Sequence, residues 1–193
     1  MRGGSRALPQ RGLRNPRARA FKGVAVALHS DGTLPGRPVP MTHDPLADEL
    51  AIRRLGAAYA DACGRLCAAD VARLFAPDAT MGMAGRKVAP GDKILKNFEI
   101  VLGRQAFLVQ TLHSGLIELA GDTARGRWWM SEILRAADSE QFNVNHGFYE
   151  DTYVRRDGRW LFGSRLFTLR LTTPLPAGTV AGAAPEYTWG SMA

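Results

Sequence analysis

The hydrophobic positions of this chain change their spacing near residue 104. Before that point apolar residues recur every three or four positions, which predicts amphipathic helices. After it they alternate with polar residues, which predicts strands. The predicted helices begin at Asp44-Pro45, near Ala69 and at Gly91-Asp92, and a short strand is predicted over Ala79–Met83. The chain therefore places its helices first and most of its strands afterwards.

Two long strands are predicted over Phe107–Ala120 and Thr123–Leu134. They are joined by Gly121-Asp122, a dipeptide suited to a two-residue hairpin turn. A final hairpin is predicted over Gly147–Phe167, with its turn at Asp157-Gly158. Helices followed by consecutive antiparallel strands predict an α+β fold, in which the helices pack on one face of a curved sheet.

The final hairpin can pair in two registers. A two-residue turn sets Arg165 opposite Glu150, whereas a three-residue loop with a bulge at Gly158 sets Arg165 opposite Tyr149. We prefer the second register because it leaves Arg165, Tyr149 and Asp151 on a polar face that can line a cavity. The opposite, apolar face would comprise Phe148, Thr152, Val154, Trp160 and Phe162.

The formal net charge of +7 belongs to the N-terminal tail of the 193-residue chain. Residues 1–40 hold eight basic residues and one acidic residue, while the remaining 17 basic and 17 acidic residues balance. The composition, 46% hydrophobic and 22% charged, is typical of a soluble globular domain. We therefore expect a disordered tail over 1–40, one domain over 41–173 and an extended tail over 174–193.

The basic tail allows three interpretations: a nucleic-acid or membrane-surface arm, an organellar transit peptide, or extra sequence from a start codon placed too early. Met41 stands directly before a helix start, which favours the third. The sequence contains no stretch of 18 apolar residues. We expect a cytoplasmic protein with neither a membrane nor a nucleic acid as its partner.

The two cysteines, Cys63 and Cys67, lie one helical turn apart. No second cysteine pair and no nearby histidine completes a metal-binding set, so no metal site is expected. Both side chains are interpreted as small apolar residues of a helix.

Three segments of the chain resemble the SnoaL-like branch of the nuclear transport factor 2-like superfamily. They are AIRRLGAAYADACGRLCAADVARLFAPDAT (51–80), QTLHSGLIEL (110–119) and YEDTYVRRDGRWLF in the final hairpin. The resemblance implies a cone-shaped domain whose sheet curls around a mostly apolar cavity, often a homodimer formed through the other sheet face. Members of that branch include polyketide cyclases, dehydratases and isomerases that work without metal or organic cofactor.

The resemblance also implies site residues. In dehydratase-like members a histidine of the first long strand pairs with an aspartate of the first helix, aided by a tyrosine and by an arginine of the last strand. The implied positions here are His113, Tyr59 and Arg165, and the aspartate position falls on Gly64. In such a pair the carboxylate fixes the imidazole tautomer. Because glycine has no carboxylate, the pair is broken in this chain. Asp61, one turn earlier, substitutes only if the helix is shifted.

A carboxylate of the sheet is an alternative partner for the histidine. If Gly121-Asp122 form a two-residue turn, His113 lies opposite Met130. Glu132 is then its diagonal neighbour on the same face, at a Cα separation of about 7–8 Å. We hypothesise that Glu132 orients His113.

Each candidate also has a purely structural explanation. A lone histidine in an apolar strand is more often a core residue than a catalyst, and Tyr59 is compatible with an ordinary core aromatic. For Arg165 the structural explanation is an ion pair with Asp151. The remaining candidates, for substrate binding, are Tyr149, Asp151, Trp128, Met130, Phe167 and Asp61.

Two functions follow as hypotheses. The first is a cofactor-independent lyase, isomerase or cyclase acting on a small apolar oxygenated substrate of polyketide, steroid or aromatic type. In it His113 moves the proton, Tyr59 hydrogen-bonds the substrate oxygen and Arg165 stabilises negative charge. The second is a non-catalytic ligand-binding or dimerisation module, with Gly64 marking the loss of the acid.

Overall fold

A computed structural model of the chain describes residues 44–83 and 89–182. The helices are α1 Pro45–Gly64, α2 Ala68–Ala72 and α3 Gly91–Leu102. The strands are β1 Phe75–Met83, β2 Ala89–Pro90, β3 Gln105–Ala120, β4 Thr123–Ala136, β5 Phe142–Arg156 and β6 Arg159–Pro174. The predicted α+β fold class is confirmed. The expected basic tail over 1–40 and most of the expected C-terminal tail lie outside the described residues.

The strands form one open, curved sheet in the order β2-β1-β6-β5-β4-β3. Neighbouring strands run antiparallel, except that β1 and β6 run parallel. Helix α1 packs against β3 and α3 against β1. The core therefore lies between the helices and one face of the sheet, here called the inner face, which carries Trp128 and Tyr149. The outer face carries Trp129 and Phe148.

The start of α1 is fixed both locally and by the final hairpin. The side chain of Asp44 accepts a hydrogen bond from the Leu46 backbone N–H at 2.9 Å, which caps the helix. Asp48, in the first turn, is buried and accepts hydrogen bonds from Arg155 and, at 3.1 Å, from the indole N–H of Trp160. A buried carboxylate needs such partners, so this contact ties the helix to the turn end of the hairpin.

The turn of the final hairpin is the two-residue form. Arg156 pairs with Arg159, and Asp157 and Gly158 have φ angles of 49° and 76°. Two consecutive left-handed residues make a type I′ turn, which Asp-Gly favours because glycine adopts this conformation without strain. The prediction of a three-residue loop with a bulge at Gly158 is wrong.

A bulge in the middle of β6 overturns the rest of the preferred register. Pairing shifts by one residue there, so Phe162 and Arg165 both lie on the inner face although they are three residues apart. Arg165 lies opposite Asp151, and the prediction of Tyr149 as its partner is wrong. The predicted separation of an apolar from a polar face is also wrong, because Trp160 and Phe162 are buried in the same core as Arg165.

Across the described residues, no helix combines the length and the apolar character needed to cross a membrane.

Candidate functional site

A cavity of about 360 Å³ lies between α1, α3 and the inner face of the sheet. Its volume is within the range of small-molecule sites. Much of its wall is apolar and includes Met81, Phe98, Leu102, Leu108, Leu134 and Phe167. Phe167, a predicted substrate-binding residue, therefore does line the cavity.

Among the described residues, Glu132 supplies the charged group of the cavity wall. Each of its oxygens accepts one amide hydrogen bond at 2.9 Å, Oε2 from Gln110 and Oε1 from Asn145. These partners are its cross-strand neighbours on β3 and β5. The two bonds hold the carboxylate in one orientation and leave a lone pair on each oxygen for a further hydrogen bond.

Two tyrosines lie beside this carboxylate. The hydroxyl oxygen of Tyr149 accepts a 3.2 Å hydrogen bond from the Gln110 side chain, and the ring of Tyr149 meets that of Tyr59 edge to face at 5.9 Å. Burial raises the pKa of both phenols, so both are neutral hydrogen-bond donors near neutral pH. Cys63 also lines the cavity, and burial raises the pKa of its thiol to about 12.

A buried ion pair lies against the rings of the two tyrosines. Arg165 donates from Nε and Nη2 to the two carboxylate oxygens of Asp151 at 3.0 and 2.7 Å, and both side chains are fully buried. The guanidinium carbon lies 4.2, 4.0 and 4.1 Å from the ring centres of Tyr59, Tyr149 and Phe162. Burial alone lowers the pKa of Arg165, but the bonds and charge of Asp151 outweigh it and the pKa is raised. The arginine is therefore a permanent cation.

A hydrogen-bond chain continues from this pair into the core. The Tyr153 hydroxyl donates to Asp151 at 2.8 Å, and the indole N–H of Trp128 donates to the Tyr153 oxygen at 2.8 Å. Trp128 and Met130 are buried and do not line the cavity. The candidates Asp151, Trp128 and Met130 therefore form a layer behind the cavity wall.

His113 lies on the outer face, away from the cavity. A bulge between Leu112 and Gly115 shifts β3, so Leu112, and not the histidine, lies opposite Met130. The imidazole is exposed and its Nε2 is 2.8 Å from the hydroxyl of Ser131. The hypothesis that Glu132 orients His113 is wrong, because the two side chains lie on opposite faces of the sheet.

Asp61 also lies outside the cavity. Its carboxylate accepts a 2.9 Å hydrogen bond from Arg65, so it forms a partly exposed ion pair with the residue that follows α1. Gly64 lies beside the backbone carbonyl of Leu108, at the end of the helix. In the described part of the chain, no acidic side chain of α1 reaches the cavity that contains Glu132.

Sequence reasoning did not identify Gln110 and Asn145, the residues that orient the carboxylate. A signal for both was present, since each is the direct cross-strand neighbour of Glu132. For β3 this neighbour could be found only by placing the bulge at the correct residue. The candidates that the fold brings together in the cavity wall are Tyr59, Glu132, Tyr149 and Phe167.

The family model for the SnoaL-like domain matches residues 44–165. The chain belongs to the SnoaL-like domain family. The resemblance seen in the sequence is thereby confirmed, and the match spans the described helices and most of the sheet. No protein with a curated description matches this SnoaL-like domain protein.

Solved structures share its fold. A candidate scytalone dehydratase from Novosphingobium aromaticivorans is 23% identical, with a TM-score of 0.63 over 75% of this chain and 97% of that one. Hexachlorocyclohexane dehydrochlorinase LinA type 2 is 20% identical, with a TM-score of 0.64 over 73% and 96%. LinA type 3 from Novosphingobium barchaimii is 21% identical, with a TM-score of 0.61 over 72% and 97%. At these identities the likeness shows the fold.

Proposed function

We propose that this SnoaL-like domain protein is a cofactor-independent acid/base lyase or isomerase that acts on a small, largely apolar, oxygenated substrate. The observation that carries the proposal is the carboxylate of Glu132, oriented by two amides in a mostly apolar cavity. An oriented carboxylate in such a place is suited to removing a proton from carbon. The fold of dehydratase and dehydrochlorinase structures supports the same class of reaction.

In the proposed reaction Glu132 removes a proton from the carbon next to a substrate carbonyl group. The electrons of the broken C–H bond form an enolate. In a dehydration, the enolate then expels a β-hydroxyl group as a double bond forms, and the proton on Glu132 passes to that group to give water. In an isomerisation, the same proton returns to another carbon. Gln110 and Asn145 keep the carboxylate aimed throughout.

The tyrosines would hold the substrate oxygen. Tyr59 and Tyr149 line the cavity as neutral phenols, which can donate to an oxygen that becomes negative. The positive charge of Arg165, against both rings, favours negative charge at the phenols and at an oxygen bound to them. Arg165 would thus act through the tyrosines as a positioning residue.

The direct test is the exchange of α-protons of small ring ketones in D2O, followed by proton NMR. Glu132→Gln keeps the size of the side chain and removes the base, so exchange should slow about 100-fold or more. His113→Ala, on the outer face, is the control and should exchange at the rate of the unaltered protein. Unchanged exchange in Glu132→Gln, with folding verified by thermal melting, would refute the proposal.

The second candidate function is a non-catalytic ligand-binding module. It is favoured by the departure from the dehydratase pattern, since no histidine of the described residues lines the cavity. On this alternative, the ketones bind to the unaltered protein and to Glu132→Gln, and neither exchanges protons. Ketone binding without exchange of α-protons would therefore support the non-catalytic binding module.

We further propose that the protein is a homodimer formed through the outer face. Trp129 and Ile133 are 48% and 37% exposed there, and the Trp129 ring lies 5.3 Å from that of Phe148. Contiguous exposed apolar groups of this kind mark interfaces. Trp129→Glu should give a monomer by light scattering, whereas Val180→Glu, at an exposed position outside the sheet, should not. A dimer that survives Trp129→Glu would contradict the assignment.

A further inference from the structure

A second concave surface, here called the arginine groove, lies between α1, the residues after α2 and the turn of the final hairpin. Its volume is about 980 Å³, and it shares no lining residue with the cavity that contains Glu132. Its floor consists of the buried side chains Leu55, Leu74 and Trp160. Ala51 and Ala58 of α1 line its side. The groove is therefore an independent and largely apolar site.

Of the residues that the structure describes, four arginines and one acidic residue line the groove. Arg155 is neutralised by the one acidic residue, Asp48. Arg73 pairs with a carboxylate of α2 at 3.0 Å. Arg54 and Arg159 are exposed and form no ion pair with any residue in the described ranges. The groove thus combines an apolar floor with two uncompensated guanidinium groups.

We propose that the arginine groove binds a small anionic amphiphile, an apolar chain or ring system with one carboxylate. The apolar body would lie on Leu55, Leu74 and Trp160, and the removal of its own apolar surface from water would favour binding. The carboxylate would be held by Arg54 and Arg159, because a guanidinium group donates two parallel hydrogen bonds to a carboxylate. The proposal rests on this groove alone and is independent of the proposed catalytic function.

The dimensions of the groove favour a small molecule over a macromolecule. Its volume lies at the upper end of the range of about 300–1,000 Å³ for small-molecule sites. Fourteen residues line it, fewer than the roughly 20–30 residues that each partner contributes to a stable protein interface. A membrane surface is flat, so it cannot reach the floor residues Leu55, Leu74 and Trp160.

The test uses decanoate and decanol as probes, titrated into the full chain by calorimetry. Decanoate should bind at least about tenfold more tightly than decanol, because only decanoate has the charge that the arginines recognise. The double variant Arg54→Gln, Arg159→Gln should weaken decanoate binding at least about tenfold, and Ala51→Trp should block it. Val101→Trp, which narrows the other cavity, is the matched control and should bind decanoate normally.

Several outcomes would overturn the proposal. Decanoate that does not bind at millimolar concentration, or that binds equally well to the arginine double variant, contradicts it. Loss of binding in Val101→Trp would place the probe in the other cavity. Arginine-dependent binding of phosphatidylglycerol vesicles or of an acidic peptide, without decanoate binding, would assign the groove to a membrane or to a protein partner. Thermal melting verifies that each variant is folded.

Discussion

Glu150 and Asp151 are adjacent carboxylates of β5, and the sheet gives them opposite environments. Asp151 faces inward, where Arg165 binds it through two hydrogen bonds and neither side chain reaches solvent. Glu150 faces outward and pairs with Arg127 at 2.6 Å, with side chains 45% and 48% exposed. Strand alternation alone predicts their opposite orientations. The same type of ion pair thus supports a cavity on one face and lies half-exposed on the other.

The same contrast separates the candidate catalytic residues. Glu132, on the inner face, is held by amides in a mostly apolar cavity. His113, on the outer face, is exposed and bonded to Ser131. The inner face therefore provides fixed polar groups at low solvent access, which acid/base catalysis needs. Substitutions on each face should therefore differ in their effects on stability and on α-proton exchange.

Removing Asp151 should have the largest effect. Asp151→Leu leaves the Arg165 charge buried without its partner and should lower the free energy of unfolding by about 3–5 kcal/mol. The matched outer change, Glu150→Gln, should cost less than about 1 kcal/mol because its pair is solvent-screened. Urea denaturation measures both. Equal losses would mean that the inner and outer ion pairs contribute equally to the free energy of unfolding.

A methyl group at Gly115 should have the next largest effect. The added Cβ of Gly115→Ala would clash with the indole ring of Trp128, which is packed in the core. We expect a loss of about 1–3 kcal/mol in the free energy of unfolding. Ser114→Ala, at the exposed neighbouring position, should change it by less than about 0.5 kcal/mol. A Gly115→Ala variant as stable as the unaltered protein would contradict the tight packing at this bulge.

Alkaline pH should lower the stability of the protein through the buried phenols and the thiol at the inner face. Burial raises the pKa of Tyr59, Tyr149 and Tyr153, and that of Cys63 to about 12. Above pH 9 to 10 the unfolded chain releases these protons while the folded chain retains them. Stability is therefore complete at lower pH and falls as pH rises, by up to about 1.4 kcal/mol per pH unit for each group.

The variant Tyr149→Phe checks this pH dependence. It removes one of the titrating groups, so the fall in stability between pH 10 and 11.5 should be less steep than in the unaltered protein. Urea midpoints measured at half-unit pH steps give the two slopes. Identical slopes would show that Tyr149 keeps an ordinary pKa in the folded protein.

The smallest effect is expected at His113. His113→Ala removes an exposed side chain with one hydrogen bond to a neighbouring hydroxyl, so the free energy of unfolding should change by less than about 0.5 kcal/mol. The rate of α-proton exchange should also be unchanged. If the rate of α-proton exchange fell tenfold or more in this variant, His113 would have a catalytic role. That result would contradict its placement on the outer face.

The order of the elements, the helix starts and the turn at Gly121-Asp122 could be predicted from local signals. Asp44-Pro45 marks the observed start of α1, and Gly91-Asp92 marks that of α3. Gly121-Asp122 forms the expected turn, since Ala120 pairs with Thr123. These signals are reliable because capping and turn conformations depend on a few adjacent residues. The candidate Tyr59 came from the family pattern, and Tyr149 and Glu132 came from strand parity.

The failures have two causes, a bulge within a strand and a wrongly predicted turn. Parity counted from a turn is correct until one extra residue enters a strand, after which every inward side chain is assigned to the wrong face. In β3 the bulge moves His113 outward, and in β6 it brings Arg165 opposite Asp151. Trp160 and Phe162 precede the bulge in β6, and the wrongly predicted three-residue loop is what assigned them to the wrong face.

The sequence by itself determined the order of helices and strands, the SnoaL-like family and four residues of the cavity wall, because these depend on periodicity and local motifs. Only the tertiary structure decided that Gln110 and Asn145 orient Glu132 and that Arg165 lies behind the tyrosines. The physical reason is that a bulge is placed by packing between distant residues, as Gly115 is placed against Trp128. No local sequence pattern predicts that contact.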